Sequence, residues 1–291
     1  MISAYPSRLD TWTQCPRRYR FHYLDQPRPA RRGAWAHQTL GAATHAALAR
    51  WWQLADRERT PARVSAEVGS AWTVAGFADE AMSDRWRVRA TAMVAAYVAA
   101  ESERRAVLAP HGLAEPRRVE ASVAMRVSDS VALMGRPDRV DERPSSAGTE
   151  LVVVDYKTSR RPLGEHDART SRTLAVYAAA AEATLGTCAT RVELHHLPTG
   201  EVQVWRHDRE SRDRQVARAA AVAEECRAVE ARLTAGEPSE QLFPPSPGPL
   251  CSWCDYRDSC PEGIGTGPAA QPWAGLEPDG GSGEDPALPL A

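Results

Sequence analysis

The run Val152-Val153-Val154-Asp155-Tyr156-Lys157-Thr158 constrains this chain more than any other stretch. It reads as a β-strand, and side chains alternate faces along a strand. Asp155 and Lys157 therefore project to one side while Val154 and Tyr156 point to the other. Upstream stands Gly135-Arg136-Pro137-Asp138, and between the two lies a polar stretch from Glu142 to Glu150 with Pro144, Ser145, Ser146 and Gly148, a turn composition. If the chain folds back near Ser145 and Ser146, antiparallel pairing brings Asp138 within about two residues of Asp155 across the ladder. Two carboxylates and an amine then converge. That set suits metal-assisted phosphodiester hydrolysis, in which oxygen ligands hold Mg2+ or Mn2+ and leave room for water and phosphate. A lysine beside them orients or deprotonates the water and offsets charge building on phosphate. The bland alternative for so common a triplet is an Asp that caps a turn and pairs with a surface Lys.

Around this core, hydrophobic periodicity sets out the remaining elements. Leu9, Trp12, Cys15, Tyr19 and Tyr23 recur at helical steps interrupted by Pro16, giving two short helical segments. A helix is expected over about 39–54, carrying His45 beside a stripe of Leu40, Thr44, Ala47, Leu48 and Trp51. Residues 64–107 read as a helical insertion. Alternation at Val119–Val127, Val131–Val140 and Leu151–Tyr156 predicts three consecutive antiparallel strands. A helix over about 171–185, a hairpin over 192–205 and a helix over about 210–235 follow. Beyond Glu262 the composition predicts a disordered tail, so the expected domain is 1–262. The fold class is α/β, a mixed central sheet flanked by helices, with the site at its central strands.

Gly135-Arg136-Pro137-Asp138 and Asp155-Tyr156-Lys157 resemble the G-x-x-D and D/E-x-K motifs of the PD-(D/E)XK nuclease superfamily, and the order of elements resembles its RecB-type exonucleases. The resemblance covers most of residues 1–262. It implies that His45, Asp138, Asp155 and the backbone carbonyl of Tyr156 ligate the metal and that Lys157 acts in catalysis with the two aspartates. It also implies that Tyr177, the tyrosine of a Gln-x-x-x-Tyr motif, contacts the site or the DNA backbone. Here Thr173 replaces the glutamine, and Arg172 is a substitute phosphate contact. Glu120 is a further candidate acid, set against an ordinary solvated strand residue.

Cys251-x2-Cys254-x5-Cys260 and the distant Cys15 could together hold a metal centre. Structural zinc more often uses two local pairs. A triplet plus one remote cysteine resembles the [4Fe-4S] arrangement of AddB-type and CRISPR-associated RecB-like nucleases, and we read the four as a clasp joining the chain's two ends. Cys188 and Cys226 lack companions and are expected to be buried small hydrophobes.

A formal net charge of −2 leaves nucleic-acid contact to local clusters, namely Arg17, Arg18 and Arg20, then Arg28, Arg31 and Arg32, then Arg160 and Arg161. Trp12, Tyr19 and Tyr23 are either stacking surfaces for unpaired bases or core. Neither a signal peptide nor a membrane span is apparent, so we expect a soluble cytoplasmic protein without membrane contact. The resemblance implies cleavage of DNA, typically exonucleolytic on single strands or processed ends in repair or recombination, often with a helicase partner. Two other readings stand beside it. One is a non-catalytic iron-sulfur DNA-binding scaffold subunit partnering a helicase; the other is an unrelated zinc-binding interaction module.

Overall fold

The computed structural model describes residues 2–111, 116–146 and 148–276. Its strands form two sheets. A three-stranded sheet runs β1 (Ile2–Ala4), β4 (Val131–Gly135), β3 (Val123–Arg126), with β1 parallel to β4. A five-stranded sheet runs β2 (Arg118–Val119), β5 (Arg139–Ser145), β6 (Gly148–Lys157), β7 (Arg191–His196), β8 (Glu201–Arg206). Only β6 and β7 pair in parallel within it, and α6 (Glu165–Thr170) and α7 (Arg172–Leu185) bridge the gap between them.

This corrects two of the expected strands. The alternating stretch 119–127 breaks at Glu120, whose φ of +48° lies in the left-handed region. The stretch 131–140 breaks at Arg136-Pro137-Asp138. The two breaks face each other, for the Glu120 N–H donates to the Asp138 carbonyl at 3.0 Å. Both chain segments thus cross between the large and the small sheet at the same level, and alternation alone carries no signal for a change of sheet.

Helices cover both faces. On one side, α3 (Ala36–Gln53), α4 (Pro61–Ala71) and α5 (Glu80–Leu108) pack through Leu48, Trp51, Trp52, Val94, Tyr97 and Val98 onto Val152, Val154 and Tyr156. The insertion is therefore two helices, the longer begun by Asp79, whose carboxylate accepts the Met82 N–H at 2.6 Å. On the other side α7 packs Leu174, Ala178 and Ala181 against Leu151, Val153 and Val192. It starts at Ser171, which accepts from Leu174 N, and stops at Gly186 with φ +70°. Val152, Val153 and Val154 are wholly buried. At about 1.5–3 kcal/mol per buried valine side chain, this strand anchors the sheet from both faces. A third core joins α1 (Pro6–Gln14), α2 (Pro16–Tyr23) and α8 (Arg209–Thr234) to the small sheet through Leu9, Trp12, Tyr19, Leu133 and Phe243.

Beyond Glu262, where disorder is expected, the chain keeps packing. The short helix α9 (Pro261–Ile264) is followed by Leu276 in the α3 core, and the Ala36 N–H donates to the Pro272 carbonyl at 3.0 Å. Aromatic and apolar residues at Trp273 and Leu276 outweigh the Gly and Pro around them. The remainder of the expected tail lies outside the described residues. Cys226 is buried as expected. Cys188 is exposed, because it sits in the loop after Gly186, where its carbonyl accepts from Leu151 N at 2.7 Å.

Candidate metal centre

The β5–β6 register pairs Arg139 with Val154 and Ser145 with Gly148, so Asp138, one step before Arg139, stands at the level of Asp155. Asp138 is held from two sides. Its Oδ2 accepts the backbone N–H of Tyr156 at 2.6 Å, and its Oδ1 lies 3.0 Å from His45 Nδ1 on α3. Gly41, one turn before His45, brings α3 close to the strand end, since a Cβ there would lie 3.4 Å from Thr158 Oγ1.

Lys157 Nζ lies 2.8 Å from Asp155 Oδ2. Burial opposes the ammonium charge, but Asp155 and then Asp138 outweigh it and hold the Lys157 pKa above its ordinary value. Burial raises the Asp155 pKa, and neighbouring Asp138 adds to the rise while Lys157 opposes it. His45 behaves like Lys157, with burial opposing its charge and Asp138 winning, for a raised pKa. The pocket thus concentrates negative charge and pulls cations toward it.

Glu120 completes the cluster. One ligand atom each from His45, Glu120 and Asp138 lie within 4.8 Å of one another, the one such group among the described residues. Its carboxylate is also 2.9 Å from Arg136 Nε, and burial followed by Asp138 raises its pKa. A left-handed backbone at a polar residue beside two other donors makes Glu120 a candidate ligand. The set of one imidazole and two carboxylates fits a divalent cation.

Tyr177, on α7, closes the other side. Burial raises its pKa, and the charges of Asp155 and Asp138 act on it in the same direction. Its ring occupies the space a side chain at Gly135 would need, as a Cβ there would lie 2.5 Å from Tyr177 Cδ1. That contact supplies a reason for the glycine of Gly135-Arg136-Pro137-Asp138. Arg172 instead pairs with Asp10, which leaves it committed to holding α7 against α1.

The four cysteines Cys15, Cys251, Cys254 and Cys260 line one cavity of about 170 Å³. Backbone N–H groups face three of the sulfurs: Arg18 N to Cys15 Sγ at 3.4 Å, Tyr256 to Cys254 and Gly263 to Cys260. Such donors stabilise thiolates. The two ends are also joined without any cluster. Arg17 pairs with Glu240 and Glu262, Arg20 with Glu240 and Asp25, and Arg31 with Asp255. Asp255 also accepts from Trp35 Nε1 at 2.7 Å. These arginines are thus not open phosphate contacts. Arg161 pairs with Asp167 at 2.7 Å, whereas Arg28 is exposed. Trp12 and Tyr19 are core residues, stacked edge to face at 5.3 Å.

A family model described as the PD-(D/E)XK nuclease superfamily matches residues 4–261. The chain belongs to the PD-(D/E)XK nuclease superfamily. The superfamily carries a metal-dependent nuclease activity on DNA, and the His45, Glu120 and Asp138 group could bind the divalent metal that activity needs. No curated protein matches. Among solved structures, one described as "Crystal structure of SSO0001" aligns at 11% identity over 77% of this chain and 85% of that one, with a TM-score of 0.32. No helix among the described residues is long and apolar enough to cross a membrane.

Proposed function

We propose that this chain is a RecB-type, Mg2+- or Mn2+-dependent deoxyribonuclease, an exonuclease acting on single strands or DNA ends in repair or recombination, working in the cytoplasm beside a helicase partner. The observation that carries the reading is Asp138 poised between His45 Nδ1 and the Tyr156 N–H, at the level of Asp155 and its partner Lys157.

His45, Asp138, Asp155 and the Tyr156 carbonyl would hold the metal, with Glu120 as a further oxygen ligand. When bound, the metal polarises phosphate and acidifies water. Lys157 is kept charged by Asp155, which favours a donor role: it orients the water and offsets charge on the phosphate oxygens, rather than serving as the resting base. Tyr177 borders the same pocket and is placed to touch the site or the backbone of the substrate. A cleft of about 740 Å³ opens beside the strand end, with Trp86, Met93 and Leu197 on its walls and Arg89 and Arg160 among its cations. Apolar walls with cations suit unpaired bases and their phosphates.

The cysteine cavity supports an AddB-like [4Fe-4S] cluster on Cys15, Cys251, Cys254 and Cys260. One remote cysteine beside a close triplet, gathered on one cavity with backbone donors to Cys15, Cys254 and Cys260, is what supports that reading.

Digestion of end-labelled single- and double-stranded DNA with Mn2+ tests the activity. Wild type should shorten labelled strands and Lys157→Ala should not. Equal digestion by both would mean a contaminating nuclease, and digestion by neither would favour a scaffold role.

A further inference from the structure

We infer that Arg139 is a positioning residue that sets the gap between His45 and Asp138. The inference rests on the metal-centre reading above. His45 comes from a helix and Asp138 from the sheet, so whatever packs between helix and sheet determines their separation.

The packing there is unusual, because its centre is a cation. Arg139 follows Asp138 directly and is wholly buried. Its Nη2 donates to Glu101 Oε1 at 2.8 Å and Asp141 Oδ2 at 3.1 Å, and its Nε lies 3.0 Å from Asp141 Oδ1. The guanidinium sits 4.8 Å from the Trp52 ring centroid. Trp52 is seven residues after His45 on α3, two turns along the same face. Its indole N–H donates to the Tyr156 hydroxyl at 3.0 Å, and Arg139 Nη1 is 3.5 Å from that hydroxyl.

One side chain therefore touches the helix that carries His45, the helix α5 through Glu101, and the tyrosine whose N–H orients Asp138. A planar, permanently charged fork can satisfy all of these at once; an ammonium on a shorter reach cannot. Glu101 and Asp141 balance the charge, which allows so buried a cation. Without the fork, α3 would settle differently on β6, and the imidazole would lose its alignment with Asp138.

The test is Mn2+ binding, read by electron paramagnetic resonance of the free ion on full-length protein, for wild type, Arg139→Lys, His45→Ala and the double variant. Arg139→Lys should weaken Mn2+ binding roughly tenfold, as loss of an orienting contact does at other metal centres. The double variant should bind no worse than His45→Ala alone, since Arg139 acts through His45. Folded Arg139→Lys that binds Mn2+ like wild type, or losses that multiply in the double variant, would overturn the inference while leaving the metal centre intact. Failure of wild type to bind Mn2+ would overturn both. Should Arg139→Lys not fold, Trp52→Phe removes the donor to Tyr156 and keeps a ring over the guanidinium. It should weaken Mn2+ binding several-fold, and wild-type affinity in it would count against the idea equally.

Discussion

Asp138 accepts the Tyr156 N–H at 2.6 Å, so the backbone of one strand aims the carboxylate of the segment beside it. An amide oxygen can accept the same hydrogen bond. Asp138→Asn is therefore expected to fold with a melting temperature close to that of the metal-free wild type. Added Mn2+ should raise the melting temperature of wild type, since a ligand that binds only the native state stabilises it, and should leave Asp138→Asn unmoved. Equal shifts in both would remove Asp138 from the ligand set.

The His45–Asp138 pair gives pH a sign. The His45 pKa is raised, so in metal-free protein the pair's contribution to stability is complete below the ordinary histidine value of about 6.5. It fades as pH climbs through the raised folded value. Metal binding needs neutral imidazole, so Mn2+ affinity should rise over the same interval. Denaturant unfolding of metal-free protein and Mn2+ titration calorimetry across that range, each with His45→Ala as the control, check the two slopes.

Gly135 and Tyr177 share one space. Gly135→Ala forces a methyl to within 2.5 Å of the ring, and overpacking of this kind costs about 1–3 kcal/mol. Urea denaturation should show the loss, and Tyr177→Ala in the same chain should recover part of it. Additive losses would mean that the backbone, not the ring, yields.

On the proposed reading the two ends are held twice, by a cluster and by ion pairs, and the two contributions separate. Cys254→Ser prepared anaerobically should lose visible absorption, while the pairs from Arg17, Arg20 and Arg31 keep the ends attached. Asp255→Ala should keep its colour and lose roughly 1–3 kcal/mol, because Arg31 and Trp35 lose their partner. Limited proteolysis and absorbance on the two variants distinguish the contributions; a colourless wild type would end the cluster reading.

Much of this architecture is legible from periodicity. The helices carrying His45 and Tyr177, the β7–β8 hairpin and the return near Ser145 come from apolar spacing and turn residues, which report local geometry directly. What periodicity hides is tertiary. Arg139, Asp141 and Arg143 share one face of β5 and, being charged, look like a solvated face, yet Glu101 and Glu193 from distant elements meet them in the interior. Glu120 is likewise obscured, because its role depends on a reversal of φ and on a chain crossing no neighbouring residue announces. The arginines near the N-terminus look available until their carboxylate partners, more than two hundred positions later, fold back onto them.

The β5–β6 ladder runs seven residue pairs from the level of Arg139 to its tip at Ser145 and Gly148, a stem of roughly 20 Å at the rise of a strand. The tip is thus insulated from the acids at its base. A fluorophore or affinity handle spliced into that turn would ride on the stem as an outrigger, letting the protein be tethered or tracked with its chemistry undisturbed.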